Sequence, residues 1–335
     1  VFYGFALFVS PVETELGLVR VQSSLGFSLA LLLDGLFAFA VGRLIDRGYE
    51  RLVMTLGSLL LGVGLVLLGL SHTLKLYLFA WSVLGVGLSG TLYPPVFAVV
   101  TRRFPLEFRS AIITMTFLGG LSSTVFIPLI SYLFDVIGWR YTSYCLALIH
   151  FLFCAPIHFL LLRNAPKPVS PTQLTPQNIG TISKSRGEFK RLVSSPTFFY
   201  LCVFNVLLMA VTAAVPAHLI NLLRESGLEP WMVIAVSASV GALQVVGRLW
   251  LYLLERRVDL HFTNRWSPVL IPLGLLALLI GYGQPIWAIG FVFAFGVGNG
   301  MLTIVRGTSV AQYLGTEFVG SLNGLIGFPV ALARA

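Results

Sequence analysis

Charge is what this 335-residue chain has least of: 10% of its residues are Asp, Glu, Lys or Arg, where a water-soluble domain carries about a quarter. That shortage excludes a soluble enzyme or binding domain. A hydrophobic content of 57% and a mean hydropathy of +0.90 make the bilayer the solvent. The net charge of +9 would suggest nucleic acid in a soluble protein. Here it points to basic loops on one side of a membrane, and no nucleic-acid partner is expected. There are three cysteines, Cys145, Cys154 and Cys202. They fall in apolar segments without metal-ligand spacing, so they read as core residues, and no metal is expected. The chain has no Gly-x-x-x-x-Gly-Lys-Ser/Thr loop, which speaks against direct drive by ATP. It also has no Ser-His-Asp set, no His-rich cluster and no pair of carboxylates on one helical face. An integral membrane enzyme is therefore disfavoured, and no cofactor is implied. The chain opens inside an apolar stretch, without a signal-peptide pattern.

What is present is a series of long uncharged runs. Runs of about 20 residues cross the hydrocarbon core as helices. They are Leu52–Ser71, Leu76–Thr101, Ser110–Phe134, Tyr141–Leu162 and Pro196–Leu223. Val21–Gly42 and Pro230–Leu254 contain one charge each, Asp34 and Arg248. Trp266 to Val305 is too long for one helix, and Gly283-Gln284-Pro285 divides it with a turn signal. Val1–Val9 reads as the end of one span and Phe318–Ala335 as the beginning of another. These give an all-α integral membrane protein with eleven spans, whole or partial. The first and last are expected to be cut, and a twelfth to be missing.

Basic residues set the orientation. The connections after spans 2, 4, 6 and 8 hold fifteen Lys and Arg, among them Arg43, Arg47, Arg51, Arg102, Arg103, Lys167, Lys184, Arg186, Arg256 and Arg257. The opposite connections hold four: Arg20, Lys75, Arg140 and Arg224. The even-numbered connections are thus expected in the cytoplasm. One of them, residues 164–195, is long and rich in Pro, Ser and Thr. It reads as a linker between an N-terminal half, residues 1–163, and a C-terminal half, residues 196–335.

Two cassettes recur in the same order at nearly the same offset. Gly42-Arg43-Leu44 returns as Gly247-Arg248-Leu249, and Leu84-Gly85-Val86-Gly87 returns as Phe295-Gly296-Val297-Gly298. Two similar membrane halves can rock about a site held between them, which is how a carrier is built.

The loop after span 2 reads Gly42-Arg43-Leu44-Ile45-Asp46-Arg47-Gly48-Tyr49-Glu50-Arg51. It resembles the signature loop of the major facilitator superfamily. Gly allows close helix approach, and Asp can accept hydrogen bonds from a helix N-terminus or an Arg. The match holds through Arg47 and then slips by one residue. A gating role therefore carries over to Gly42, Asp46 and Arg47, and not to Glu50 or Arg51. Tyr93-Pro94-Pro95-Val96-Phe97, Gly119-Gly120-Leu121-Ser122-Ser123-Thr124, Gly138-Trp139-Arg140, and the run from Gly298-Asn299-Gly300 to Arg306-Gly307-Thr308 resemble the monocarboxylate-type carriers and related uncharacterised bacterial members. The resemblance implies a two-half bundle of six plus six helices, a monomer, and the bacterial inner membrane. Trp81 stands where proton-driven drug antiporters of the superfamily commonly carry an Arg, which argues against that subgroup.

A charge inside a bilayer needs a reason. Asp34, midway along span 2, can bind a coupling proton, or pair with an Arg or cap a helix. Arg306, about two turns inside span 10, can bind a carboxylate through paired hydrogen bonds or snorkel to the surface. Arg248 is followed by six uncharged residues, which places it in the membrane, while the repeat offset places it at the rim. A carboxylate-binding Arg in span 8 is what the resemblance to monocarboxylate and oxalate carriers implies. Asn205, Gln244, Asn299 and Tyr93 complete a candidate substrate site, or bond between helices. His150 and His158 in span 6 read as core. The expected function is secondary transport of a small organic solute, favouring a monocarboxylate-like anion, with proton coupling through Asp34. The alternative is an exporter of a neutral or cationic metabolite or drug. The expected partners are a small-molecule solute, the lipid bilayer and protons.

Overall fold

The computed structural model describes residues 4–164, 187–254, 257, 259–281 and 284–334. Lys167, Lys184, Arg186, Arg256, Gly283 and most of the 164–195 linker lie outside the described residues. All regular elements among the described residues are helical. Eight helical stretches there are long and apolar enough to cross a membrane, and one of them, Phe108–Leu161, has 54 residues. That length covers two crossings.

The elements follow the hydropathy runs with instructive departures. α1 (Phe5–Leu16) continues past Val9, through Pro11, to two acidic residues near its end. α2 (Arg20–Asp46) and α3 (Glu50–Gly69) meet at Gly48, whose φ is +87°. Span 4 is broken. α4 (Leu74–Ser89) stops at Gly90, and α5 (Tyr93–Arg103) restarts with proline in its first turn. Proline there lacks only an N–H that has no helical partner anyway. Spans 5 and 6 run together as α6 (Phe108–Ile149) except at Gly138, where φ +75° and ψ 166° turn the chain. Only glycine adopts that conformation readily. A single π-helical turn, His150–Cys154, leads into α7 (Ala155–Leu161). A short α8 (187–193) precedes α9 (Pro196–Glu225) and α10 (Pro230–Leu254). After α11 (Leu260–Trp266) come α12 (Leu270–Ile280), α13 (Pro285–Leu314) and α14 (Val319–Arg334).

The described chain forms two compact units by its own contacts. The first comprises Val1–Pro105, Ser123–Val206 and Val310–Ala335, the second Leu106–Ser122 and Leu207–Ser309.

In the first unit an aromatic core gathers around Trp81, which is almost fully buried. Phe5 and Phe27 stack on each other and present their rings edge-on to Trp81. The Tyr77 hydroxyl donates to the Ser23 carbonyl at 2.8 Å, and Gly26 leaves room for both large rings. The position that holds Arg in drug antiporters is thus a packing site here. At the end opposite the basic loops, the Gly138 turn delivers Trp139 and Arg140 to Glu15. The Trp139 indole donates to one carboxylate oxygen and Arg140 Nε to the other, at 2.8 Å. Arg140 Nη1 donates to the Gly69 carbonyl at 2.6 Å. Glu15 lies past the apolar run of α1, and its hydrogen bond from Arg140 holds its carboxyl below the usual range. Gly138-Trp139-Arg140 is therefore a staple between helices.

The second unit is built on α10 and α13. Gly300 meets the Gln244 backbone, and Gly247 meets the Val297 carbonyl. Beside these contacts Ile113, Leu251 and Ile304 form a small apolar core with Met301. The buried Thr308 hydroxyl donates to Asn264 Oδ1 at 3.3 Å.

The second repeated cassette does the same work in the two units. Gly85 of α4 abuts Ala30 of α2, while Gly87 abuts Gly57 and Leu61 of α3. Gly296 of α13 abuts Val240 and Leu243 of α10, while Gly298 abuts Leu270 and Ile271 of α12. Each Gly-x-Gly thus lets one helix approach two neighbours, in matching order.

This equivalence has a thermal consequence. Gly85→Val and Gly296→Val should each cost about 1–3 kcal/mol or more by overpacking. Gly290→Val, where nothing lies within 4 Å of an added Cβ, should be close to neutral. Tryptophan-fluorescence melting in detergent reads the difference. Equal melting of all three variants would show that the cassettes are not tight contacts.

Candidate functional site

The signature-like loop sits where α2, α3, α5 and α14 converge. α14 begins at Val319, so its first N–H groups have no helical acceptor. Asp46 supplies one. Its Oδ1 accepts from the Gly320 N–H at 2.9 Å, and its Oδ2 accepts from the Ser321 N–H at 2.7 Å and the Ser321 hydroxyl at 2.6 Å. A carboxylate at a helix N-terminus also meets the positive end of the helix dipole. Gly42, one turn earlier, brings the α2 backbone against that of Gly320. Arg47 is exposed just beyond. The contact joins span 2 to span 11, which the sequence reading assigns to different halves.

Glu50 has a structural part that the sequence reading did not point to. It stands where the resemblance carries no role, yet it is 0% exposed and forms the centre of an ion-pair group. Arg103 Nε donates to Glu50 Oε1 at 2.5 Å, and Arg102 Nε lies 3.8 Å from Oε2. Arg102 also donates to the Ile45 carbonyl, and Arg103 to the Arg163 carbonyl at 3.2 Å. Next door, Arg51 donates to the Phe159 carbonyl at 2.7 Å and lies over the Phe159 ring. These bonds fasten the α2–α3 corner and the ends of α5 and α7 together. The signal for this pairing is present in the sequence: an acid in a basic loop, and an Arg-Arg pair at the start of the next basic connection. Its 53-residue separation hides it.

The candidate substrate residues divide between the units. Asp34, Tyr93 and Asn205 lie in the first; Gln244, Arg248, Asn299 and Arg306 lie in the second. Asp34 and Tyr93 are half-buried and engaged by neighbouring groups. Tyr93 also stacks on Phe97. Asn205 donates to the Leu201 carbonyl of its own helix at 2.8 Å. His158 Nδ1 bonds the Ser58 hydroxyl at 2.9 Å.

In the second unit Gln244 and Arg248 are one turn apart on α10, and the Gly300 contact sets Asn299 level with Gln244. Arg306 lies eight residues before the end of α13, half-buried and engaged. Arg248 is different in kind. It is 4% exposed, and its Nε has no hydrogen-bond partner among the described residues. None of the ion pairs among those residues includes it. Its guanidinium lies against Gly120 of α6. A buried cation in that condition offers unused donors to an anion.

The sequence profile of the Major Facilitator Superfamily matches residues 1–335. The chain belongs to this superfamily. The uncharacterized MFS-type transporter YcxA of Bacillus subtilis (strain 168) is 22% identical to it over 331 residues, spanning 96% of this chain and 78% of YcxA. Two solved structures share the fold. The human organic anion transporter MFSD10 (TETRAN) superposes with a TM-score of 0.67 at 16% identity, covering 99% of this chain and 81% of that one. The proton:xylose symporter XylE, bound to 6-bromo-6-deoxy-D-glucose, superposes with a TM-score of 0.68 at 12% identity, with the same coverage. As a facilitator-superfamily member the protein is a multi-pass membrane transporter of a small solute by secondary transport, and not an enzyme.

The two carboxylates of the loop should differ in what they contribute. Glu50→Gln leaves two arginines at a buried site, and breaking such a pair costs about 3–5 kcal/mol. Asp46→Asn keeps one capping oxygen, turns an NH2 toward the other N–H and loses the charge at the dipole, together about 1–3 kcal/mol. Melting in detergent should therefore fall further for Glu50→Gln. The reverse order would remove the Glu50 ion pairs as the main tie.

Proposed function

We propose that this transporter carries a small monocarboxylate-like organic anion by alternating access between the halves 1–163 and 196–335. One observation carries the choice of cargo: Arg248 is buried with an unsatisfied Nε and no paired carboxylate among the described residues. A buried charge left without a partner costs several kcal/mol, and a carboxylate supplies two parallel hydrogen bonds to a guanidinium. The structural relatives carry an organic anion in one case and a sugar in the other. At their level of identity the fold alone does not choose, so the choice rests on Arg248.

In this reading Gln244 and Asn299 hold the polar body of the cargo beside Arg248, and Arg306 is a second cation on the path toward the basic end. Asp34, a half-buried carboxyl midway along α2, takes the coupling proton. Asp46 and Gly42 form a gate with Arg47 beside it, because their contact with α14 crosses from one half to the other and has to open when the halves rock. The membrane is the bacterial inner membrane, the basic end faces the cytoplasm, and the carrier works as a monomer. The exporter alternative is favoured by Asp34 alone, an acid in mid-membrane that suits a cationic cargo.

The test uses the complete protein in proteoliposomes, with radiolabelled pyruvate and other short monocarboxylates, with and without an inward proton gradient. Arg248→Gln should lower uptake roughly tenfold to a hundredfold, the effect of a lost hydrogen bond to a charged group. Asp34→Asn should remove stimulation by the gradient and leave exchange of labelled for unlabelled anion. Wild-type uptake by Arg248→Gln would overturn the anion reading. Absence of uptake for every monocarboxylate, in folded wild-type protein, would favour the exporter.

A further inference from the structure

The glycine pair in span 5 takes no part in the proposed cargo site, and the structure gives one of its members a role there. We infer that Gly120 is a positioning residue for the anion site: its missing side chain is the berth that fixes the guanidinium of Arg248. The inference rests on the assignment of Arg248 to the anion.

Gly120 is buried on α6. A Cβ built on it would land on Arg248 Nη1, with Cζ 3.0 Å and Cδ 3.6 Å away. The guanidinium thus fills the volume that a side chain would take. Most tight glycines among the described residues meet backbone or uncharged side chains, as Gly42, Gly247 and Gly26 do. Gly120 and Gly320 meet a charged head group. At Gly320 that group is Asp46, whose oxygens are hydrogen-bonded. At Gly120 it is Arg248, whose Nε is not. The berth therefore holds a cation by shape and leaves donors for something else.

The guanidinium has little freedom to yield. One turn nearer the basic end on each helix, Phe117 of α6 and Tyr252 of α10 stack with ring centroids 6.3 Å apart and planes within 19°. Alongside that stack, with Leu251 between Arg248 and Tyr252 on α10, lies the Ile113, Leu251 and Ile304 core. Closed off on that side, the head group has to swing away from Gly120 if a methyl is placed there. Paired hydrogen bonds to a carboxylate depend on the orientation of the planar fork, so a swung guanidinium loses them. A lysine ammonium has no fork to orient. Its nitrogen stands where arginine has Cζ, one atom short of the Nη1 that fills the berth, and can draw back from a methyl without losing a paired geometry.

This gives a double-mutant cycle that a purely structural glycine would not satisfy. Uptake of radiolabelled pyruvate by the complete protein is measured for wild type, Gly120→Ala, Arg248→Lys and the double variant, with Gly241→Ala as control. Gly241 lies on α10 with nothing within 4 Å of an added Cβ. Gly120→Ala should raise KM about tenfold, as expected when a charged hydrogen bond is displaced. In the Arg248→Lys background the same change should raise KM no further, and Gly241→Ala should match wild type. If Gly120→Ala alone does not fold, recovery of folded protein in the double variant supports the berth equally. The inference is overturned by a wild-type KM in Gly120→Ala, by full additivity of the two changes, or by failure of both Gly120 variants to fold. A wild-type KM in Arg248→Lys would instead refute the assignment of Arg248 to the anion.

Discussion

Helices in a bilayer gain nothing by hiding apolar surface from one another, because lipid is as apolar as leucine. They hold together where backbones can touch and where polar groups complete each other's hydrogen bonds. Both conditions meet at the crossing of α2 with α14. Gly42 and Gly320 let the two backbones meet, and one turn on, Asp46 accepts the N–H groups that the start of α14 cannot satisfy itself. The close approach places the carboxylate, and the carboxylate in turn holds the approach. The ion pairs of Glu50 with Arg102 and Arg103 then fasten α3 and α5 to the same corner. At the other end of the first unit, Glu15 and Arg140 form the corresponding tie. The aromatic core around Trp81 lies between these two sets of polar fasteners.

Much of this is legible in the sequence, and the reasons are physical. The hydropathy run puts span 8 at Pro230–Leu254, and α10 has those bounds, because the free energy of moving residues from water to lipid is local and additive. The division of Trp266–Val305 at Gln284 and Pro285 is visible for the same reason, since a proline start and a glycine stop act on their own turn of chain. The break between α4 and α5 escapes hydropathy, despite Pro94 and Pro95, because the run stays apolar across Gly90 to Leu92. The π-helical turn at His150–Cys154 leaves no mark in hydropathy either. The pairing of Glu50, and the place of Gly120 under Arg248, depend on contacts between distant segments. A single sequence carries no record of those contacts.

The repeat shows how one duplicated cassette serves two purposes. Gly42 and Gly247 are both buried at helix contacts, and Leu44 and Leu249 are each 38% exposed. Between them, Arg43 is exposed while Arg248 is 4% exposed. The two copies differ in how far the helix runs past the arginine. α2 ends three residues after Arg43, at Asp46, whereas α10 continues six residues past Arg248, to Leu254. At about 1.5 Å per residue, Arg248 lies about 4.5 Å farther from the end of its own helix than Arg43 does from the end of its helix. The position matching Asp46 is Leu251, buried with Ile113 and Ile304. In the first copy the helix ends at Asp46, whose carboxylate reaches the start of α14. In the second copy an apolar plug replaces that carboxylate. There the helix continues three residues farther past the arginine, which packs against Gly120. The same three residues thus yield an exposed charge in the first copy and a buried cation with an unsatisfied Nε in the second.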